Sequence, residues 1–310
     1  MTPGLLSVIL PNYNHATVVA DQLRAILTQS YRNFEFIIID DKSTDNSVEV
    51  IESVIAGDSR VKFIKNEKNQ GVLKAVDDGR RLAQGEFIGF YASDDRLLPG
   101  FFEKSMSALS QAPQAGLATS VTAVFDASMQ VRMDQGVWTD RPTYFNPDQL
   151  CDVICGGFVG CHNSIFRRSV WEECFPPGDG YQRLKWHGDW FHTLTIAFRH
   201  GICYIPEILA ALRIDPNSYS GAKMYDPEHQ VDVVWTIIEL LKSDAYRDVL
   251  PYFARGGVMA TPAHVVRTVM AKPERWDPIT MMLIQRPLLD WNLHAAQVQS
   301  QRRQRAQGNG

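Results

Sequence analysis

Cysteine is scarce in this sequence and is missing from its first 150 residues. The five cysteines among the 310 residues lie at positions 151, 155, 161, 174 and 203. An odd, clustered set of thiols in a chain of this length does not fit a disulfide framework. It fits reduced cysteines in a cytoplasmic protein, which is the compartment we expect.

Long hydrophobic runs are also missing. Nowhere do about 18 apolar residues follow one another, so we predict no membrane-spanning segment. The N-terminus has no basic region, and only six residues separate Gly4 from Pro11. We interpret it as a first strand and not as a signal peptide. The expected protein is soluble, or at most peripheral to the inner face of the membrane.

Neither sign of charge dominates the composition. The chain has 31 basic and 35 acidic residues, a net charge of −4 and a pI of about 6.1. General nucleic-acid binding usually needs a basic surface, so no nucleic-acid partner is expected. With 45% hydrophobic and 21% charged residues the chain is typical of a globular protein with a sizeable core.

Short apolar runs alternate with amphipathic helical patterns through the first 125 residues. The predicted strands are Leu5–Leu10, Phe34–Ile39, Val61–Ile64, Glu86–Tyr91 and Leu117–Phe125. This alternation predicts an α/β fold with a Rossmann-like, mostly parallel sheet and helices on both faces. We interpret residues 126–185 as loop-rich, and residues 186–200 as helical.

Polar residues follow three of the predicted strands, at Pro11–Tyr13, Asp40–Asp41 and Ser93–Asp95. Ligands of parallel sheets bind beyond the carboxyl ends of the strands, so these clusters should meet in one crevice. Neither a G-x-G-x-x-G motif after the first strand nor a P-loop motif is present, which disfavours dinucleotide enzymes and P-loop NTPases. The acidic pair Asp94–Asp95 suits a hard divalent cation, although a solvated turn is the alternative interpretation.

Four segments carry a resemblance to a known family: SVILPNYN at 7–14, FIIIDDKSTDNS at 36–47, NQGVLKAVDDG at 69–79 and AQGEFIGFYASDD at 83–95. In order and spacing they resemble inverting family-2 glycosyltransferases with the GT-A nucleotide-sugar-binding fold, of the spore-coat-polysaccharide nucleotide-diphospho-sugar transferase type. The resemblance covers residues 6–110 and resumes around 157–214. It implies transfer of a hexosyl group from a UDP- or dTDP-sugar to a hydroxyl of a glycan or glycolipid, in surface-polysaccharide or glycoconjugate biosynthesis.

The resemblance also implies a role for each matching residue. Pro11 and Tyr13 would line the nucleobase pocket, and Asp41 would accept a hydrogen bond from the imide N–H of uracil or thymine. Asp94 would touch the ribose. Asp95 would bind the Mn²⁺ or Mg²⁺ ion that bridges the diphosphate. Such a cation stabilises the negative charge that develops on a departing nucleoside diphosphate.

Two positions depart from the family pattern. Val76 stands where the third helix often carries an arginine, so a cationic contact to the nucleotide is either missing or supplied by Lys74. Ala92 stands where the metal motif often has its first acid. These departures leave open a catalytically weak protein that only binds nucleotide sugars. A nucleotidyltransferase is another alternative, but PNYNHAT lacks the expected glycine-rich phosphate loop.

Inversion requires a base that takes the proton of the acceptor hydroxyl. The resemblance places this acid at the start of a late helix, and WHGDWFHTLTIAFRHG at 186–201 puts Asp189 there. A simple helix cap is the alternative role of Asp189. The helix N-terminus should favour the ionised carboxylate. Weaker candidates for acceptor binding are His187, Trp190 and His162, each of which also fits a structural role.

The domain organisation follows from where the patterns change. We predict a catalytic domain over 1–214, divided into a nucleotide-sugar-binding half, 1–125, and an acceptor-side half, 126–214. A helical region, 215–298, and a flexible basic tail, 299–310, follow it. Because the resemblance has faded there, we expect the helical region to serve acceptor recognition, homo-oligomer formation or membrane proximity.

Overall fold

The computed structural model describes residues 1–125, 131–133, 137–154, 159–175, 181–215, 226–256 and 262–289. The chain divides into two compact units. The first consists of Met1–Pro147, Val159–Pro177 and Asp189–Pro216, and the second of Asp148–Phe158, Gly178–Gly188 and Asn217–Gly310. The predicted flexible tail, 299–310, lies outside the described residues.

One sheet organises the first unit. Its strands in the described residues are β1 (Thr2–Asn12), β2 (Phe34–Asp40), β3 (Val61–Lys65), β4 (Gly85–Phe90), β5 (Arg96–Leu97), β6 (Leu117–Phe125), β7 (Val131–Met133), β8 (Thr143–Phe145), β9 (Ser164–Arg167) and β10 (Ile202–Arg213). Their order is β3-β2-β1-β4-β9-β6-β10-β5, with β7 beside β6 and β8 beside β10.

The sheet has two parallel groups. Strands β1 to β4 pair in parallel, and so do β6 and β10. Strand β9 lies between the groups and is antiparallel to both of its neighbours. The predicted α/β fold with a mostly parallel sheet is therefore confirmed, with antiparallel strands added in its second half.

The helices of the first unit pack their apolar faces on this sheet. They are α1 (Val19–Leu27), α2 (Ser47–Ile55), α3 (Val72–Leu82), α4 (Phe101–Gln111), α6 (Arg168–Cys174) and α7 (Gly188–His200). In α1 the side chains of Val19, Leu23 and Ile26 are fully buried, because they recur at helical spacing on one face. Strands β1, β2, β4 and β6 have runs of buried residues on both faces, which explains their continuous apolar runs, whereas the edge strand β3 is only partly buried.

The expectation that residues 126–185 are loop-rich is wrong for the described part of that segment. It contains β8, α5 (Pro147–Ile154), β9 and α6. These elements have only three to eight residues each. Elements so short leave too few turns or alternations for a periodic pattern to show in the sequence. The partners of β9 are β4 and β6, which are distant in sequence.

The second unit is helical. Its helices are α5, Pro227–Lys242, Leu250–Gly256, Pro262–Met270 and 278–289, with 3₁₀ turns at Tyr181–His187 and Pro273–Arg275. Val234, Ile238 and Leu241 form the buried face of the helix Pro227–Lys242, as their spacing predicts. Among the described residues, no helix combines the length and the apolar character that crossing a bilayer requires.

Close packing of α3 on the sheet depends on Gly79. A Cβ atom at this position would lie 2.6 Å from Cγ2 of Ile9 on β1 and 3.4 Å from Cδ1 of Ile39 on β2. Both isoleucines are fully buried. Only a residue without a side chain lets the helix approach the two strands this closely.

We expect Gly79→Ala to destabilise the protein by about 1 kcal/mol in urea unfolding. Overpacking costs about 1–3 kcal/mol, which exceeds the ~1 kcal/mol that alanine gains over glycine in a helix. Ile9→Ala removes the clashing methyl group, so Gly79→Ala should become neutral or stabilising in that background. Simple additivity of the two changes in a double-mutant cycle would contradict this account.

Candidate active site

The carboxyl ends of β1, β2 and β4 are joined by side-chain hydrogen bonds. Asn12 and Asp40 are register partners on neighbouring strands, and Asn12 Nδ2 donates to Asp40 Oδ2 over 2.8 Å. His15 Nδ1 and Ser93 Oγ lie 2.6 Å apart, which ties the loop after β1 to the acidic motif after β4. The three polar clusters therefore meet at one edge of the sheet, as their positions after parallel strands predict.

The loop that follows β2 is organised by Asp40 and Asn14. Asp40 Oδ1 accepts from Ser43 N over 2.9 Å, and Asp40 Oδ2 accepts from Ser43 Oγ over 2.6 Å. Asn14 Oδ1 accepts from Thr44 N over 2.7 Å. Asn14 and Lys42 have φ angles of 55° and 66°, which residues other than glycine rarely adopt. These hydrogen bonds hold the unusual backbone in place.

Asp41 is buried and fully engaged with the loop that precedes α3. Its Oδ1 accepts from Asn66 Nδ2 over 2.8 Å and from Gln70 N over 3.0 Å. Its Oδ2 accepts from Gly71 N over 2.7 Å and also lies 3.0 Å from Gln70 N. A carboxylate offers about four acceptor positions, and three donors occupy most of them here, with Gln70 N shared between the two oxygens. In this structure Asp41 holds the segment 66–71 in place.

The other candidates for nucleotide binding lie at the same edge. Pro11 is partly buried near the end of β1, and Tyr13 is 43% exposed in the loop beyond it. Lys74, in the first turn of α3, forms an ion pair with Asp78 one turn later on the same helix. Its ammonium group therefore already has an anionic partner.

Asp95 is the buried member of the acidic pair after β4. Its Oδ1 accepts from the backbone N–H of Arg213, at the end of β10, over 2.9 Å. Burial raises the pKa of Asp95 well above its usual value. The negative charges of Asp94 and Asp189 raise it further, and the N–H and the guanidinium of Arg213 lower it. The structure thus brings Asp94, Asp95 and Asp189 into one electrostatically coupled group.

This arrangement fits a divalent cation at Asp95. No described residue donates a hydrogen bond to Asp95 Oδ2, so this oxygen is available as a ligand. The repulsion that raises the pKa of Asp95 is the kind that a cation relieves. The described residues nevertheless contain no cluster of three His, Cys, Asp or Glu side chains that would hold a metal by themselves. A metal at Asp95 would need ligands from elsewhere, such as substrate phosphates.

Arg213 is a site residue that the sequence reasoning missed. Its guanidinium carbon lies 5.2 Å from the centre of the Phe125 ring, and its Nε is buried without a hydrogen-bond partner in the described structure. No acidic side chain there lies within ion-pair distance of it. In the sequence, Arg213 can be found as the basic residue near the end of the apolar segment PEILAALRI at 206–214.

Asp189 lies in the first turn of α7. The residue as a whole is accessible to solvent, and its Oδ1 accepts from Trp190 N over 2.6 Å. The protein packed around its carboxyl group nevertheless desolvates that group and raises the pKa of Asp189 to about 6, although backbone hydrogen bonds act to lower it. The shift is opposite to the effect expected from the helix N-terminus, because desolvation outweighs it. At pH 7 most of the carboxyl group is still ionised.

The three weaker acceptor candidates have different surroundings. His162 Nε2 lies 3.1 Å from Thr122 Oγ1, and burial lowers the pKa of His162 to about 4. Trp190 is only 5% exposed, which leaves little of its ring for a sugar. His187 belongs to the second unit. Burial lowers the pKa of His187 to about 4, against a hydrogen bond with Gln230.

Comparison with known proteins identifies the family. The model of glycosyl transferase family 2 matches residues 7–175, more than half of the chain. The chain belongs to this family. This is a family of transferases, and the membership of family 2 that four sequence segments predict is confirmed.

Relatives and solved structures agree with this assignment. An uncharacterized glycosyltransferase of Haemophilus influenzae is 40% identical over 111 residues, which cover 36% of this chain and 44% of the relative. The UDP-Glc:alpha-D-GlcNAc-diphosphoundecaprenol beta-1,3-glucosyltransferase WfgD of Escherichia coli is 34% identical over 108 residues, 34% of this chain and 42% of the relative. These matches span less than half of each relative.

A crystal structure of S. aureus TarS 1-349 in complex with UDP-GlcNAc superposes with a TM-score of 0.64. The superposition covers 92% of this chain and 86% of that chain, at 17% sequence identity. At this level of identity the likeness establishes the fold, and it supports the predicted GT-A architecture.

The contacts of Asp41 generate a prediction. Asp41→Ala removes both acceptor oxygens, so the backbone N–H groups of Gln70 and Gly71 lose their partner. We expect a loss of about 1–3 kcal/mol in the free energy of unfolding, and faster hydrogen exchange at both amides. Glu67→Gln, at an exposed position of the same segment, is the control and should change neither. Unchanged exchange in Asp41→Ala would contradict the positioning role.

Proposed function

We propose that this protein is a metal-dependent, inverting glycosyltransferase that moves a sugar from a UDP- or dTDP-sugar to a hydroxyl of a glycan or glycolipid. One observation carries the proposal. Asp95 is buried at the edge where β1, β2 and β4 end, is hydrogen-bonded to the backbone of Arg213 over 2.9 Å, and has its pKa raised by desolvation and by the charges of Asp94 and Asp189. These three acids combine a cation-binding carboxylate with a second acid whose pKa suits a base.

The donor site is assigned to the first unit. Asp95 would hold a Mn²⁺ or Mg²⁺ ion, and the ion, when bound, supplies charge stabilisation for the leaving diphosphate. Asp94 would contact the ribose, and Pro11 and Tyr13 would line the base pocket. Asp41 would shape that pocket through the segment 66–71 and would accept the imide N–H of the base at its remaining acceptor position.

Arg213, and not Lys74, would supply the cationic contact to the nucleotide. The guanidinium of Arg213 lies close enough to Asp95 to lower its pKa and has no acidic partner among the described residues. Lys74 is paired with Asp78. A diphosphate beside Asp95 would therefore receive its cationic contact from Arg213, in a geometry that guanidinium groups and phosphates share.

Asp189 is assigned the role of general base. A pKa of about 6 keeps it ionised at neutral pH and makes it more basic than an ordinary aspartate. Both properties favour removal of a proton from an attacking hydroxyl. The helix-cap alternative explains neither the raised pKa nor the coupling to Asp95.

The substrate classes are supported by the relatives. The name of the E. coli relative specifies a UDP-Glc donor and a sugar on a diphosphoundecaprenol lipid as acceptor. TarS was crystallised with UDP-GlcNAc. We extend a UDP-sugar donor and a glycan or glycolipid acceptor to this chain on that basis. The catalytic role is assigned to residues 1–214 and acceptor recognition or assembly to the helical region 215–298.

A silent nucleotide-sugar-binding protein is the second candidate, because Ala92 and Val76 depart from the family pattern. Ala92 is exposed, and the two later acids, Asp94 and Asp95, keep their places beside Asp189. All groups that the proposed chemistry needs are therefore present. A nucleotidyltransferase is disfavoured, because family 2 membership is shown and the loop after β1 has no phosphate-binding glycines.

Asp95→Asn tests the cation site. We expect Mn²⁺ to increase the thermal stabilisation of the native protein by UDP, because a ligand at 100 times its Kd stabilises by about 2.7 kcal/mol. In Asp95→Asn this metal-dependent part should disappear. The melting temperature without ligand should change little or rise, because the substitution removes a buried carboxyl group that Asp94 and Asp189 repel when it is ionised. Asp244→Asn, with a fully exposed side chain, is the control. Full metal dependence in Asp95→Asn would refute the assignment.

Asp189→Asn tests the base. With UDP-sugar hydrolysis as the readout and water as the acceptor, we expect a rate reduction of about 10²–10⁴-fold with unchanged UDP binding. The wild-type rate should fall about tenfold per pH unit below about pH 6, because protonation removes the base, and the variant should lack this dependence. Asparagine caps helices as well as aspartate does. A near wild-type rate in Asp189→Asn would therefore leave only the cap role.

A further inference from the structure

Positive charge is concentrated at the C-terminal end of the chain. Residues 265–310 contain seven Lys or Arg and three Asp or Glu, whereas the 264 residues before them contain 24 and 32. The net charge is therefore +4 over the last 46 residues and −8 over the rest. Such asymmetry within one chain indicates an anionic partner for the basic end.

The same end of the chain exposes large apolar side chains. Met270, Trp276, Met281, Met282 and Leu289 are 46%, 40%, 37%, 37% and 53% exposed. They are five of the eleven large hydrophobic side chains that are exposed in the described residues, although they come from one short segment. We call these five residues the apolar stripe. Clustered exposed apolar side chains mark interaction surfaces.

Local structure brings the stripe together. Trp276 Nε1 donates to the carbonyl of Val269 over 2.7 Å, which places the ring at the end of the helix that finishes with Met270. Asp277 caps the next helix through Thr280 N, at 2.8 Å. Trp276 and Met281 then occupy the two positions of a hydrophobic staple.

The rest of the stripe continues along the helix 278–289. Met282 and Leu289 are seven residues apart, which is two helical turns, so they lie on the same side of the helix. Met281 lies next to this side, at the staple position beside Trp276. The stripe ends at Leu289, where the described part of the chain also ends.

Basic residues flank the stripe. Arg267 and Lys272 are exposed on either side of Met270, and neither has an ion-pair partner in the described structure. The sequence that follows the stripe, 290–310, contains Arg302, Arg303 and Arg305 and one acidic residue, Asp290. Over the last part of the chain, apolar side chains and an excess of cations over acids therefore occur side by side.

We propose that the apolar stripe docks the protein on an anionic lipid surface, with Arg267, Lys272 and the arginines of 291–310 contacting lipid head groups. Tryptophan and methionine side chains can enter the boundary between head groups and acyl chains. Three arginines alone are fewer than the 4–8 charges of an effective lipid-binding cluster. Stable attachment to a bilayer takes two signals, and the stripe provides the second one.

A second copy of the chain fits this surface less well. In a two-fold symmetric dimer the same patch meets itself, so Arg267 and Lys272 would face their own copies and repel them. Nucleic acid would use the cations, but its phosphates gain nothing from Trp276, Met281 and Met282. An anionic bilayer is the partner that uses both the cations and the apolar side chains.

Vesicle sedimentation of the full-length protein tests the proposal. We expect at least ~10-fold stronger binding to phosphatidylcholine vesicles with about 30% phosphatidylglycerol than to pure phosphatidylcholine. Met281→Glu/Met282→Glu should weaken binding to the anionic vesicles about tenfold or more. Arg302→Gln/Arg303→Gln/Arg305→Gln should weaken it up to ~100-fold, at ~5-fold per charge. Ionic strength near ~1 M should abolish the charge contribution.

The controls separate docking from folding and from catalysis. Ile208→Glu changes a side chain of the first unit with the same 37% exposure and should bind vesicles like the wild type. All variants should keep their melting temperatures and their UDP-sugar hydrolysis. Vesicle binding is measured without any substrate, so it tests the lipid proposal even if the proposed transferase activity is not found.

Three results would overturn the proposal. The first is a wild-type protein that stays in the supernatant with both vesicle types. The second is a dimer that dissociates in Met281→Glu/Met282→Glu while vesicle binding stays unchanged. The third is tighter binding to duplex DNA than to anionic vesicles.

Discussion

The buried carboxyl group of Asp95 is the constraint on which the candidate site depends. A carboxylate loses favourable hydration when it is taken out of water, and two further negative charges, Asp94 and Asp189, raise the cost of ionising it. The fold offsets part of this cost with one backbone N–H and one guanidinium, both from Arg213. A divalent cation, bound together with a diphosphate, would offset the remaining cost of ionising Asp95.

In the rest of the site, side-chain hydrogen bonds hold the loops beside that carboxylate. Asn12, Asp40 and Ser43 join the ends of β1 and β2, and His15 joins the loop after β1 to Ser93. Asp41 fixes the segment before α3 through its acceptor contacts. Most of the polar residues of the family motif thus bind one another in the ligand-free protein, and their hydrogen bonds fix loop positions before any nucleotide arrives.

The sequence was most informative where elements are long and regular. The five longer strands of the first 125 residues could be placed from their apolar runs, because most of them are buried on both faces of the sheet. The short elements between residues 137 and 175 could not, since β8 and β9 owe their existence to partners far away in the chain. Candidate site residues at strand ends were found for the same reason that the strands were. Arg213 was missed because it belongs to a strand that reaches Asp95 only after the sheet has formed.

Sequence alone determined the family, the α/β architecture and the acidic residues, since each depends on local patterns: periodicity, motif order and residue chemistry. Tertiary structure decided how those residues are used. It occupied Asp41 with backbone donors, paired Lys74 with Asp78, buried Trp190 and left Arg213 without an acidic side chain at ion-pair distance among the described residues. It also raised the pKa of Asp189 where a helix N-terminus alone would have lowered it. Hydrogen-bond partners and desolvation are set by groups that are distant in sequence, so no local pattern contains them.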